Sequence, residues 1–187
     1  MRRYAFSRVG VRDPDVLVGP AYGEDAAIIR VRDELIVVHC DPITGAVENM
    51  GWLAVYVACN DIAVRGARPR WLLQVIYLPF GSGEGAVDRI TRQVDEAARE
   101  VGAMVVGGHT EYTYGLDGVM MTMTAIGVCE GGGYVVTSGA RPGDVVLMTK
   151  AAGVEGASIL ASDFEGELGR MASPQTSSRG LRFSFAR

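Results

Sequence analysis

Four acidic residues stand where a folded chain could gather them: Asp25 in "GED", Asp41 closing "VVHCD", Asp61 in "ACNDIA" and Glu111 after "GGHT". Hard carboxylate oxygens converging on one point are what Mg²⁺ requires, with waters and phosphate oxygens completing its octahedron. Three of them also have an ordinary structural role open: Asp25 can cap or turn, Asp41 before Pro42 can start a turn, and Glu111 can face water. Asp61 resists such a reading. It sits with Asn60 in MGWLAVYVACNDIAV, residues 50–64, a run otherwise almost wholly apolar. A carboxylate there must be paired, metal-bound or protonated. A salt bridge to Arg65, at i+4, is the simplest pairing and would make the residue purely structural.

The glycines of "GGHTEYTYG", from Gly107, remove Cβ atoms where backbone amides could approach phosphate oxygens. The segment is neither a Walker A loop nor a G-x-G-x-x-G motif. His109 invites a catalytic reading, but His39 is the only other histidine and no Cys or His stands at ligand spacing. A zinc site is therefore not expected, and no G-x-S-x-G elbow marks a serine triad.

These residues need elements to hold them. The first 22 residues lack periodicity, and Pro14 and Pro20 predict an irregular lead-in. "AAIIRV" (26–31) and "ELIVVHCD" (34–41) are β-rich runs around Arg32-Asp33, which predicts a hairpin. Over 49–65, Trp52, Val55, Tyr56, Cys59, Ile62, Ala63 and Gly66 recur at the spacing of one helix face, with Gly66 and Pro69 as stop signals. "RWLLQVIYLPF" (70–80) reads as a strand. An amphipathic helix follows, with Val87, Ile90, Val94, Ala97, Ala98 and Val101 inward. "AMVVGG" (103–108) predicts a short buried strand and 118–130 a long one; after the break at "EGGGYVVTSGARPGD", "VVLMTK" predicts a strand and "GVEGASILASDF" a helix. The last stretch, rich in Ser and Arg without hydrophobic period or caps, predicts a disordered tail and not a folded element.

Composition bounds the class. With 48% hydrophobic and 21% charged residues the chain is globular, and a net charge of −4 with scattered basic residues excludes nucleic acid as the favoured partner. Cys40, Cys59 and Cys129 are odd in number and far apart, as expected of reduced thiols in a cytoplasmic protein. The N-terminus shows no apolar signal region, and the longest apolar run is broken at Asn60-Asp61, short of the roughly 20 residues of a membrane span.

Taken in order, "GEDAAII", "VVHCDPI", "GWLAVYVACNDIAVRGARPRWL", "VVGGHTE", "TAIGV" and "GARPGDVVLMTKAAGVEGASILA" resemble the PurM-like superfamily, over roughly residues 23–162. That superfamily includes aminoimidazole ribonucleotide (AIR) synthetase, the hydrogenase maturation protein HypE, thiamine monophosphate kinase and selenophosphate synthetase. The forms here look most like HypE-like or AIR-synthase-related proteins. The resemblance implies an α+β fold: a PurM-like N-terminal domain whose sheet contributes to a dimeric barrel and is flanked by helices, then the short start of a C-terminal α/β domain. It implies a lead-in over 1–22, an ATP-binding N-terminal domain over 23–135, the start of the second domain over 136–166 and an atypical tail over 167–187. It further implies ATP and Mg²⁺ as cofactors, with Asp25, Asp41 and Asp61 as the metal–triphosphate ligands. Asn60 would hydrogen-bond beside them, and Gly107, Gly108, His109, Thr110 and Glu111 would line the nucleotide.

The implied chemistry is ATP-dependent activation of an amide, carbonyl or phosphate oxygen of a small-molecule or protein acceptor, in a homodimer. The sequence departs from the family in three ways. His109 stands where many relatives carry an acid. The chain is expected to be truncated, because the usual second domain needs well over a hundred further residues. It ends in "FSFAR" without the cysteine-bearing tail of HypE. A dimerising nucleotide-binding module without turnover, a relative of AIR synthetase or thiamine monophosphate kinase, and a ligand-free structural protein are the other readings.

Overall fold

The computed structural model describes residues 2–44, 48–148, 151–154, 156, 157 and 160. After one turn of π-helix (Arg2–Phe6) comes a short strand, β1 (Val16–Val18), inside the lead-in that was expected to be irregular. Pro14 and Pro20 bracket it too closely for a sequence period to show. The expected hairpin follows as β2 (Ala27–Val31) and β3 (Glu34–Ile43), with Val31 opposite Glu34. Arg32 adopts φ 57° between them, which suits the right-handed twist of a two-residue hairpin turn. β3 runs through Pro42. Its pairing with β2 reaches only as far as Val38, so Pro42 has one neighbouring strand, a setting in which proline is accommodated.

Helix α1 (Met50–Ala63) is followed by β4 (Ala67–Pro79), α2 (Glu84–Val101), β5 (Met104–Thr113) and β6 (Met120–Cys129). The sheet order is β1-β2-β3-β6-β4-β5. Only β4 and β5 are parallel, as the intervening α2 crossover requires; the other pairs are antiparallel. Helix α1 packs on β3, β6 and β4, and α2 packs on α1. This layering explains the apolar run 50–64. The expectation of one buried face is too narrow: Leu53, Ala54 and Ala58 are buried as well, whereas Trp52 and Ala63 are half-buried and Gly66 is exposed. α2 is amphipathic as predicted, burying Ile90, Val94, Ala97 and Ala98.

Strand β5 corrects a second expectation. It extends to Thr113 and is largely exposed, because it is an edge strand paired only with β4. The apolar segment 145–148, expected as a strand, is exposed coil; no described strand lies beside it to complete a ladder. The helix expected after Gly153 lies mostly outside the described residues, as does the whole tail over 167–187. The sheet face away from the helices carries Val38, Ile126, Trp71 and Leu73 side by side, half-buried and not covered by any described element. Among the described residues no helix is long and apolar enough to cross a membrane.

Candidate functional site

Residues two apart on a strand face the same way, so β3 turns His39 and Asp41 together toward the helix layer. Opposite them on β6 are Ala125 and Met123. The small Ala125 leaves room for the imidazole. α1 brings Asp61 down from its last turn onto the same point. His39 Nε2 lies 2.9 Å from Asp61 Oδ2 and 3.3 Å from Asp41 Oδ2. One donor atom from each of the three residues falls within 4.8 Å of the others. His39 is only 8% exposed, while both carboxylates are half-buried and reach solvent.

The ring is oriented from its other side. His39 Nδ1 donates to the backbone carbonyl of Asp25 at 3.2 Å, and since a carbonyl can only accept, Nδ1 carries a proton. Nε2 is thereby committed to the carboxylates, but it has no hydrogen-bond partner of good alignment. The Asp61 contact is short and off-axis, an ion pair rather than a hydrogen bond. The pKa of His39 is pushed up to about 9, chiefly by Asp61 against Nε2, with burial opposing and with Asp41 and the Asp25 carbonyl adding to the rise.

Of the residues picked out from sequence, Asp41 and Asp61 converge. Asp25 contributes its backbone to the cluster, and its carboxylate is not part of it. Asn60 is half-buried beside Asp61 and donates no cap, its carbonyl accepting from Val64 N–H in the helix end. The pairing of Asp61 with Arg65 does not occur. Arg65, 2% exposed, ion-pairs with Glu24 at 2.5 Å, and its Nη1 also reaches the Val135 carbonyl and Thr137 Oγ1, both at 3.3 Å. At i+4 two side chains can meet only if neither is claimed elsewhere; here Arg65 points to the segment after β6 and Asp61 to β3. Burial raises the Glu24 carboxyl, yet the Thr137 N–H and Arg65 outweigh it and hold Glu24 below its usual range.

The residues Gly107, Gly108, His109, Thr110 and Glu111 lie on exposed β5, across the sheet from Asp41. Their link to the cluster is a shared row. Asp41 pairs with Met123, Met123 with Gln74, and Gln74 with Gly108. Three strand spacings separate its ends, about 14 Å. Gly108 sits at φ 152°, and a Cβ there would fall 1.9 Å from the Gln74 carbonyl oxygen, so the close approach of β5 to β4 needs glycine. His109 Nε2 contacts Glu111 Oε2 at 3.2 Å on the opposite sheet face.

Sequence reasoning missed His39 as a site residue, and the signal was its H-x-D spacing to Asp41 on a strand. Gln74 was missed too. Its Oε1 is buried without a partner among the described residues, and only the strand register places it between Asp41 and Gly108.

Fold and site together define a mixed sheet with two helices on one face and an acid–histidine cluster under them. Residues 23–129 match the family described as AIR synthase related protein, N-terminal domain. The chain belongs to that family, and its fold is the PurM-like N-terminal domain. It is 31% identical over 159 residues to the carbamoyl dehydratase HypE of Rhodobacter capsulatus, an alignment covering 84% of this chain and 46% of that one. It is 34% identical over 151 residues to the selenide, water dikinase of Geobacter metallireducens, covering 75% of this chain and 42% of the other. Among solved structures, the hydrogenase maturation protein HypE in complex with ATP aligns with TM-score 0.67 and 27% identity, covering 76% of this chain and 45% of that one. The chain thus spans less than half the length of these relatives.

Proposed function

We propose that this chain is the nucleotide-binding part of an ATP- and Mg²⁺-dependent enzyme of the HypE or AIR-synthase-related type, one that activates an amide, carbonyl or phosphate oxygen by phosphoryl transfer. The observation that carries the reading is the convergence of Asp41 and Asp61, from elements distant in sequence, on a solvent-reaching point beside buried His39. Two carboxylate oxygens with room for water fit a hard divalent cation. When bound there, Mg²⁺–triphosphate would supply neutralisation of charge on the transferring phosphoryl group.

The chain's own residues would hold and orient. Asp41 and Asp61 would fix the cation, with Asp25 and Asn60 beside them. Gly107, Gly108 and Thr110 would offer backbone and hydroxyl donors further along the row through Gln74, with His109 and Glu111 on the other face of β5. Kinship with proteins named for carbamoyl dehydration and for selenide phosphorylation supports the class of chemistry and leaves the acceptor, small molecule or protein, to experiment.

Calorimetric titration with Mg²⁺ and a non-hydrolysable ATP analogue, on wild type and Asp61→Ala, tests the reading. Wild type should bind and the variant should lose at least tenfold in affinity. A wild type that does not bind sinks the nucleotide reading, and equal binding by both sinks the role of Asp61.

The uncovered apolar sheet face supports association into a homodimer, since such a surface and the β5 edge are costly to leave open. Sedimentation at micromolar concentration should give a dimer; a clean monomer would overturn this part.

A further inference from the structure

We infer that Arg65 is a positioning residue for the nucleotide site, through which the segment after β6 acts as a strap holding the Glu24-Asp25 turn against the end of α1. The inference rests on the reading of Asp25, Asp41 and Asp61 as residues of that site and adds to it what fixes the turn.

Three stretches distant in sequence close on one guanidinium. Arg65 lies just past the end of α1, four residues after Asp61. Its Nη1 meets Glu24 Oε2 at 2.5 Å, and the Val135 carbonyl and Thr137 Oγ1 at 3.3 Å each. The backbone completes the ring: Val135 N–H donates to the Arg65 carbonyl at 3.0 Å, and Thr137 N–H donates to Glu24 Oε2 at 3.4 Å. Next to Glu24 stands Asp25, whose carbonyl accepts from His39 Nδ1 at 3.2 Å. The turn's own backbone bond, Glu24 N–H to the Ala21 carbonyl, is long at 3.4 Å, and Gly23 within it sits at φ 86°. The turn is therefore held chiefly from outside, by Arg65 and Thr137.

The energetics favour positioning over stability. Arg65 is 2% exposed, and its Nε is buried without a partner among the described residues. A buried ion pair is often no more stabilising than apolar side chains of the same volume, and an unpaired buried N–H adds a desolvation cost. What the buried charge supplies is direction, since it fixes where the Glu24 carboxylate sits. The strap is exposed at Val135 and Thr137, so hydrogen bonds hold it and burial does not.

Thr137→Pro removes both Thr137 contacts at little cost to the fold. Gly139 N–H donates to the Val136 carbonyl at 3.1 Å, which makes Thr137 the second residue of a turn, a position that suits proline. Val136 is already extended, at φ −116° and ψ 148°, as the residue before a proline should be. Thr137→Ser keeps both contacts and serves as the rescue.

The test pairs calorimetric binding of Mg²⁺ with a non-hydrolysable ATP analogue and hydrogen–deuterium exchange of the ligand-free chain. Thr137→Pro should bind about fivefold more weakly than wild type, the effect of losing about one hydrogen bond's worth of order. Its exchange over residues 21–30 should quicken while α2 exchanges as in wild type, and Thr137→Ser should match wild type in both. Thr137→Pro that binds as wild type, or exchange over 21–30 that does not change, overturns the strap. Exchange that quickens equally in α2 marks general loosening and overturns it too. A wild type that binds no analogue sinks the nucleotide reading instead, and the exchange measurement then decides by itself whether the strap holds the turn.

Discussion

The contact between α1 and α2 can be probed with one methyl group placed at two positions. Gly51 lies in the first turn of α1 where the two helices touch. A Cβ there would fall 2.3 Å from the Ile90 carbonyl oxygen and 3.1 Å from both Gln93 Cβ and Val94 Cγ2. The nearest of these is backbone and cannot rotate away. An ordinary C···O contact is about 3.3 Å, so the helices must part by about 1 Å. Overpacking of this kind costs about 1–3 kcal/mol. Better helix propensity of alanine returns about 0.5–1 kcal/mol. Separation would also strain the cap that α2 provides: Gly51 N–H donates to Gln93 Oε1 at 3.1 Å, and Gln93 Nε2 donates to the Glu48 carbonyl at 2.7 Å. Asn49 makes no side-chain cap of its own. The net expectation for Gly51→Ala is a loss of about 1–2 kcal/mol. Gly85, in the first turn of α2, has nothing within 4 Å of its Cβ position. Gly85→Ala should therefore stabilise, by about 0.5 kcal/mol. Urea denaturation with unchanged m-values reads both. Because α1 also carries Asp61, the Gly51 variant should bind Mg²⁺ with the non-hydrolysable ATP analogue more weakly while the Gly85 variant binds as wild type. Gly51→Ala as stable as wild type would refute the close-contact reasoning.

Further outcomes follow from the same structure. Gly108→Ala puts a Cβ into the Gln74 backbone at a left-handed φ and should destabilise by about 3 kcal/mol or more, seen as a lower urea midpoint. Cys40 is exposed whereas Cys59 and Cys129 are buried, and burial pushes the Cys59 thiol up to about 12. At pH 8 a disulfide reagent should therefore titrate one thiol in the native chain, and all of them only after denaturation.

Much of the architecture is set by local pattern. The hairpin around Arg32-Asp33 follows from two β-rich runs and a charged turn, and α2 from an apolar stripe at helical period, because both signals are complete within a short window. The apolar run 50–64 announced a deeply buried helix, and Asp61 within it announced a charge that needed a partner. The identity of that partner was not local. Arg65 was the near neighbour in sequence, yet it is claimed by Glu24 and the chain after β6, and Asp61 meets His39 instead. β5 looked buried from composition and is exposed because strand order puts it at the sheet edge. Likewise the row joining Asp41 to Gly108 through Met123 and Gln74 exists only as strand register. Sequence by itself determined which residues carry charge or lack a Cβ, and which segments are helix or strand. The tertiary structure decided which of them meet, since only packing sets which side chains are within a few ångströms of one another.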